Sequence, residues 1–301
     1  LIASWAKVSP RHNASGLITP EGAMSKIEES VTPPMPLVDG NSRVFGVIAH
    51  PVTHVRAPMV FNPRFAAAGL GHIMVPIDAP PAALDGIIRG LQSVPNFGGL
   101  AVTIPHKLGM AELCDELGTV ARLTGAVNAV RFDPDGRLYG DNFDGAGFVS
   151  GCRGNGYEVT GKNILMLGAG GAARAIAAAL CEAGVRHLNI ANRNLANAEK
   201  LVDILVTDGG FANVTAQPLA ETDGVGVDMI INSTNLGLHA DDALPLALDQ
   251  VGKDTVIADI IMVPAKTKWL QDAARRGLSV HYGRHMLDYQ IDLIGKFIGA
   301  F

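Results

Sequence analysis

Asn163-Ile164-Leu165-Met166-Leu167-Gly168-Ala169-Gly170-Gly171-Ala172-Ala173-Arg174 is the stretch whose reading decides the fold. Ile164 to Leu167 form an unbroken apolar run, the pattern of a short strand buried on both faces. Glycines follow at once, and residues 172–183 are Ala-rich, strongly helix-forming sequence. Strand, tight turn and helix in that order make this G-x-G-x-x-A, the dinucleotide fingerprint in its Ala-ended form. Gly168 permits the tight turn, Gly170 lets backbone approach a pyrophosphate, and Ala173 lets the helix sit close on the strand. The helix N-terminus then offers unpaired N–H groups and a partial positive charge to that pyrophosphate. Gly168, Ala169, Gly170, Gly171 and Ala172 are therefore the expected cofactor-binding loop.

Working outward, residues 187–191 read as the next strand and lead into Asn192-Arg193-Asn194. An NAD enzyme usually carries an acidic residue there for the ribose 2′-hydroxyl. This chain has Arg193, and a guanidinium at that point suits a 2′-phosphate. NADP is the expected cofactor, with NAD possible; a solvated loop arginine is the alternative reading of Arg193.

Composition narrows the class. The chain has 301 residues, 48% hydrophobic and 18% charged, a length and balance that suit two buried cores. Net charge is −5 at pH 7 and the pI about 6.0, so no nucleic-acid partner is implied. The apolar runs break well short of a bilayer span, so no membrane partner is expected either. Cys114, Cys152 and Cys181 lie far apart with no C-x-x-C spacing, which fits a reducing cytoplasm better than disulfides or zinc. His50, His54, His106, His281 and His285 make no metal-ligand spacing; they are read as turn and pocket residues, and no metal is expected.

The organisation follows from alternating patterns. Residues 1–41 mix Ser, Pro, Asn and Gly with little periodicity and read as a leader or flexible arm, with Met24 a candidate natural start. Strands are expected at 42–48, 72–77 and 98–104, with helices at 57–68 and 82–91 between them. Asp133-Pro134-Asp135-Gly136 is a turn signal between strands at 127–132 and 137–139. A helix at 144–153 leads into the fingerprint domain. Beyond it come a helix at 195–206, strands at 228–232, 255–260 and 279–281, a helix at 267–276 and a last helix at 286–298. Strands alternating with helices mean an α/β layer fold, mainly parallel. The expected division is a substrate-binding and catalytic α/β domain at 42–145 and a Rossmann-type, doubly wound dinucleotide-binding domain at 146–282. Residues 283–301 then form a C-terminal helix returning to the first domain.

A dehydrogenase needs a group that trades a proton with the alcohol oxygen while hydride moves to the nicotinamide. Ala101-Val102-Thr103-Ile104-Pro105-His106-Lys107 puts a lysine just past a strand end, where α/β proteins bind ligands. Gly140-Asp141-Asn142-Phe143-Asp144-Gly145 puts carboxylates at the junction of the two expected domains. Lys and Asp meeting in a cleft could hold the alcohol oxygen and tune the lysine; spacing alone equally allows a surface ion pair.

From about Val44 to its end the chain resembles the shikimate/quinate dehydrogenase family. The resemblance rests on motifs in order: Gly46 to Pro58, Val102 to Lys107, Gly125-Ala126-Val127-Asn128 with Gly140 to Gly145, the Gly168 loop, and Gly283-x-x-Met286-Leu287-x-x-Gln290. It implies that Lys107 and Asp144 are the catalytic pair, and that Thr103, Asn128 and Gln290 bind substrate. It also implies that Asn192-Arg193, the Asn232-Ser233-Thr234-Asn235-Leu236-Gly237 turn and Gly283 belong to the cofactor site. A small-molecule substrate, an NADP cofactor and a monomer or homodimer follow as expectations. The family's N-R-T run with its second basic residue is reduced to Asn192-Arg193, with Asn194 and Asn197 in the other two places.

The departures bear on substrate. The family's H-S-x-S-P, whose serines bind the substrate carboxylate, reads His54-Val55-Arg56-Ala57-Pro58. The tyrosine that also reaches that carboxylate is Met262, the asparagine of N-V-T is Ala101, and the threonine of N-T-D-G is Phe143. Hydrogen bonds to a charged group contribute about 1.5–3 kcal/mol each, so three losses weaken carboxylate binding severely unless Arg56 replaces them; a solvated arginine is the alternative reading of Arg56. Three readings stand: a shikimate dehydrogenase with a remodelled carboxylate site, a relative acting on quinate or another cyclic polyol, and a non-catalytic NADP-binding regulator. Retention of both Lys107 and Asp144 speaks against the last.

Overall fold

The structure is a computed structural model and describes residues 35–301. Most of the expected leader, with Met24, lies outside the described residues. The first sheet contains β1 (Val44–Ala49), β2 (Ile73–Asp78), β3 (Phe97–Val102), β4 (Glu116–Leu117), β5 (Ala129–Phe132) and β6 (Leu138–Asp141), in the order β2-β1-β3-β5-β6-β4. It is mixed: β1 pairs in parallel with β2 and β3, whereas β5 pairs antiparallel with β3 and β6. The Asp133–Gly136 turn explains this, because it closes a β5–β6 hairpin and a short connection can only reverse the chain. Helices α1 (Ala57–Ala67), α2 (Leu84–Gln92), α3 (Lys107–Leu113) and α4 (Thr119–Thr124) connect these strands.

The second sheet, in the order β12-β11-β10-β7-β8-β9, is parallel throughout. It contains β7 (Asn163–Leu167), β8 (His187–Asn192), β9 (Val214–Pro218), β10 (Met229–Asn232), β11 (Val256–Asp259) and β12 (Ser279–His281). Helix α5 (Asp144–Gly154) precedes it, and α6 (Gly171–Glu182), α7 (Leu195–Asp203), α8 (Lys268–Arg275) and α9 (Arg284–Phe297) follow in chain order. Ile164 and Met166 of β7 face one apolar cluster, with Ala173 and Ile176 of α6; Leu165 and Leu167 face another, with Trp269 and Leu270 of α8. A central strand buried on both faces is what its unbroken apolar run requires.

Several elements differ from the sequence expectation, the two-residue β4 among them. The helix expected over 195–206 ends at Asp203 and loosens into a π-turn over Ile204–Asp208. β9 was not expected, since Val214–Pro218 has few apolar residues; it is an edge strand, half open to water.

Each sheet has a reversal in its strand order beside the cavity described below. β7 and β10 are neighbours from which the chain leaves in opposite directions, as are β1 and β3. Loops at the carboxyl ends of such strands diverge and leave a crevice. Helix α5 lies between α6 and α9, and its glycines allow the approach. A Cβ on Gly145 would stand 2.1 Å from the Ala175 carbonyl oxygen, and one on Gly147 2.5 Å from that of Met286. Leu287, Ile291 and Ile294 of α9, with Ile298, pack against Phe45, Val47, Phe61 and Phe65 of the first sheet and α1. Full burial of such side chains contributes about 1.5–3 kcal/mol each, enough to hold α9 across that face.

Candidate active site between the two sheets

β3 ends at Val102, and Pro105 cannot continue a strand ladder. The chain turns, with His106 N–H donating to the Thr103 carbonyl, and the buried His106 ring anchors the turn through Nε2 on the Ala79 carbonyl (2.8 Å). Lys107, the first residue of α3, is thereby fixed in the interior, and its Nζ donates to Oδ2 of Asp144, the first residue of α5. Asp144 is 2% exposed and Lys107 8%, so the pair is buried rather than a surface ion pair.

The other Asp144 oxygen is also taken. Asn128, just before β5, donates through Nδ2 to Asp144 Oδ1 and to Gln290 Oε1, both at 2.9 Å. Its own Oδ1 accepts the Phe143 N–H (2.8 Å). Lys107, Asp144, Asn128 and Gln290, contributed by four distant segments, thus form one hydrogen-bonded cluster. Removing one member would leave its partners buried and unpaired, which fixes the arrangement. Asn142 holds the cluster from behind, accepting the Asp144 N–H (3.0 Å) and donating to the Ala126 carbonyl (2.9 Å). Sequence reasoning missed Asn142; its signal was an amide two residues before the candidate catalytic carboxylate.

The cluster opens on a cavity of about 310 Å³. Thr103, Arg56 and His54 line it from the first sheet's side; Gly170, Gly171, Ala172, Ser233 and Thr234 line it from the second. His50 instead pairs with Asp78 at 2.9 Å, and His281 and His285 are no pocket residues. They pack on each other 3.3 Å apart, with His281 against Phe148 and Tyr157. Burial, helped by the neighbouring His285, pushes the His281 imidazole down to about 4.

The glycine loop fits a dinucleotide. Gly168 has φ +110°, and a Cβ there would press into Ser233 at 2.9–3.1 Å. Gly170 faces open space, where a pyrophosphate needs it, and no side chain caps the start of α6. The Ser233 hydroxyl donates to the Leu167 carbonyl and the Thr234 hydroxyl to Asn232 Oδ1, which fixes both side chains in this wall of the cavity. Arg193 stands exposed past the end of β8, with no hydrogen-bond or ion-pair partner among the described residues, while Asn192 is tied to the Asn194 carbonyl. Gly283 does not line the cavity; it sits where a Cβ would meet the Ile261 carbonyl oxygen at 2.4 Å, a close approach that sets the start of α9.

With this geometry in place, comparison with known proteins is decisive. Residues 47–130 match the family model for the shikimate dehydrogenase substrate binding domain, and residues 153–244 that for shikimate / quinate 5-dehydrogenase. The NADP(+) shikimate dehydrogenase of Rubrobacter xylanophilus is 42% identical over 85% of this chain and 90% of its own. The chain belongs to the shikimate dehydrogenase family. Among solved structures of the family, the shikimate 5-dehydrogenase of Thermus thermophilus in complex with NADP(H) and shikimate superposes with a TM-score of 0.75. It is 30% identical and covers 86% of this chain and 94% of that one. A 5-ketofructose reductase of Gluconobacter is also similar, with a TM-score of 0.74, 30% identity and the same coverage of both chains.

Positions where the family's motifs carry hydroxyl and amide side chains are apolar in this chain. Val55, Ala57, Ala101, Phe143 and Met262 all belong to one apolar cluster, so the places of the family's hydroxyl and amide groups are taken by hydrocarbon.

Proposed function

We propose that this chain catalyses the reversible, NADP-dependent oxidation of the shikimate ring hydroxyl to the ketone of 3-dehydroshikimate. The buried Lys107–Asp144–Asn128–Gln290 cluster facing the glycine loop across one cavity is the observation that carries this reading. Residues 42–145 supply the substrate and catalytic groups, 146–282 hold the dinucleotide, and 283–301 return Gln290 to the substrate. Gly168 to Ala172 would hold NADP, with Arg193 facing its 2′-phosphate, and the bound cofactor would supply the hydride acceptor. Asn128 and Gln290 orient the ring hydroxyls, and Thr103 lines the same pocket. As hydride leaves the carbon, the hydroxyl proton passes to the Lys107–Asp144 pair, and in the reverse direction it returns to the ketone oxygen. Asp144 positions Lys107, and Asn142 positions Asp144. Burial pushes the free thiols of Cys114, Cys152 and Cys181 up to about 12 each, so none of them supplies a thiolate at neutral pH.

The apolar wall around Val55, Ala57 and Met262 favours a second reading, a dehydrogenase of an uncharged cyclic polyol; one relative is named for a ketose rather than an acid. Initial rates with shikimate, quinate and neutral polyols, each with NADP and NAD, separate the two. The first reading expects shikimate with NADP to be the fastest combination. Turnover confined to a neutral polyol would replace it with the second.

A further inference from the structure

We propose that Arg56 is the anchor for the substrate's carboxylate, a single guanidinium doing the work of the missing hydroxyls. The inference rests on the reading above that the substrate is a ring monocarboxylate. Three side chains with full charges line the cavity: Arg56, Lys107 and Asp144. Lys107 and Asp144 cancel each other in a buried pair. Arg56 is half-buried at the N-cap of α1; its carbonyl accepts the Met59 N–H (3.0 Å), but its guanidinium has no hydrogen-bond or ion-pair partner among the described residues.

The wall around it is hydrocarbon. Val55 and Ala57 flank Arg56 in sequence, and both belong with Ala101 and Met262 to one apolar cluster. A carboxylate brought to this wall unpaired would lose its hydration with nothing in return. A lone cation beside that wall gives the cavity one net positive charge, the complement of a monoanion. Guanidinium is also the side chain whose fork matches a carboxylate with two parallel hydrogen bonds. An uncharged polyol would leave Arg56 without a counter-charge and gain nothing from it. Arg56 lies on the N-terminal side of α1 and takes no part in the Lys107 cluster, so its contribution belongs to binding rather than to the chemical step.

The test is steady-state kinetics of the full chain with shikimate and NADP, comparing wild type with Arg56→Gln, Arg56→Lys and Arg56→Gln combined with Val55→Ser and Ala57→Ser. Arg56→Gln is expected to raise KM for shikimate about thirtyfold, with kcat and NADP affinity little changed. Arg56→Lys keeps the charge but not the fork and should fall between. The added serines should recover a good part of the loss, an outcome that misfolding of the glutamine variant could not give. If Arg56→Gln keeps the wild-type KM for shikimate, Arg56 is overturned as the anchor while the assigned reaction stands. If wild type itself does not turn over shikimate, the assigned reaction fails and the anchor fails with it.

Discussion

The two ends of the cavity are built on opposite terms. At the catalytic end, both oxygens of Asp144 accept hydrogen bonds, Asn128 bonds on both sides of its amide, and Gln290 closes the cluster. At the other end, the proposed site of substrate recognition, Val55, Ala57, Ala101 and Met262 form an apolar wall and the Arg56 side chain has no partner among the described residues. A saturated buried network resists change, because each member removed leaves others unpaired at a penalty of about 1–3 kcal/mol. An apolar wall beside one half-buried cation can be remodelled residue by residue. On the proposed reading, the chemistry is fixed at one end and the substrate choice adjustable at the other.

The comparison breaks most sharply at Lys107. Lys107→Met is expected to lower kcat about 10³-fold with NADP binding intact, since a positioned acid–base group contributes roughly 10²–10⁴-fold. Unchanged kcat, followed in the same rate assay, would remove the pair from the mechanism. A smaller effect is expected at Arg193, where the second basic residue is absent. Arg193→Ala should raise KM for NADP about tenfold and leave KM for NAD nearly unaltered. Equal effects on both cofactors would make Arg193 a bystander.

The smallest effect on activity is expected at Asp259, behind the recognition end, where it accepts from the Ile261 N–H (3.0 Å) and Thr267 hydroxyl (2.8 Å). Burial pushes its carboxyl up to about 6, against the pull of these bonds and of Asn232. The folded chain therefore holds a proton that the unfolded chain releases near pH 4. The stabilisation is complete below that pH and lost as pH rises through about 6. Asp259→Asn should remove this slope, so that its stability relative to wild type improves by up to about 3 kcal/mol between pH 4 and 7, read from urea midpoints. Parallel pH profiles would contradict the assignment.

Much of this was legible in residues because local rules governed it. The β7 run, the glycine loop and the Ala-rich start of α6 each state their structure in consecutive positions. The β5–β6 hairpin was announced by Asp133 to Gly136. β9 was not legible, because an edge strand with one wet face carries no apolar run. The convergence of Lys107, Asp144, Asn128 and Gln290 depends on α5 and α9 crossing at Gly147, which no local pattern encodes; family motifs supplied what spacing could not. His281 and His285 misled as pocket candidates, since burial against Phe148 and Tyr157 leaves no trace in sequence.

The most direct test of the contrast between the two ends is the ratio of kcat/KM for shikimate to that for its methyl ester, with NADP and wild-type protein. The ester keeps every ring hydroxyl that Lys107, Asn128 and Gln290 would meet and removes only the charge that Arg56 would meet. A preference for the acid of about thirtyfold, carried in KM, is the expected result. Equal turnover, or a preference for the ester, would mean that the recognition end reads no charge and that the substrate is an uncharged polyol.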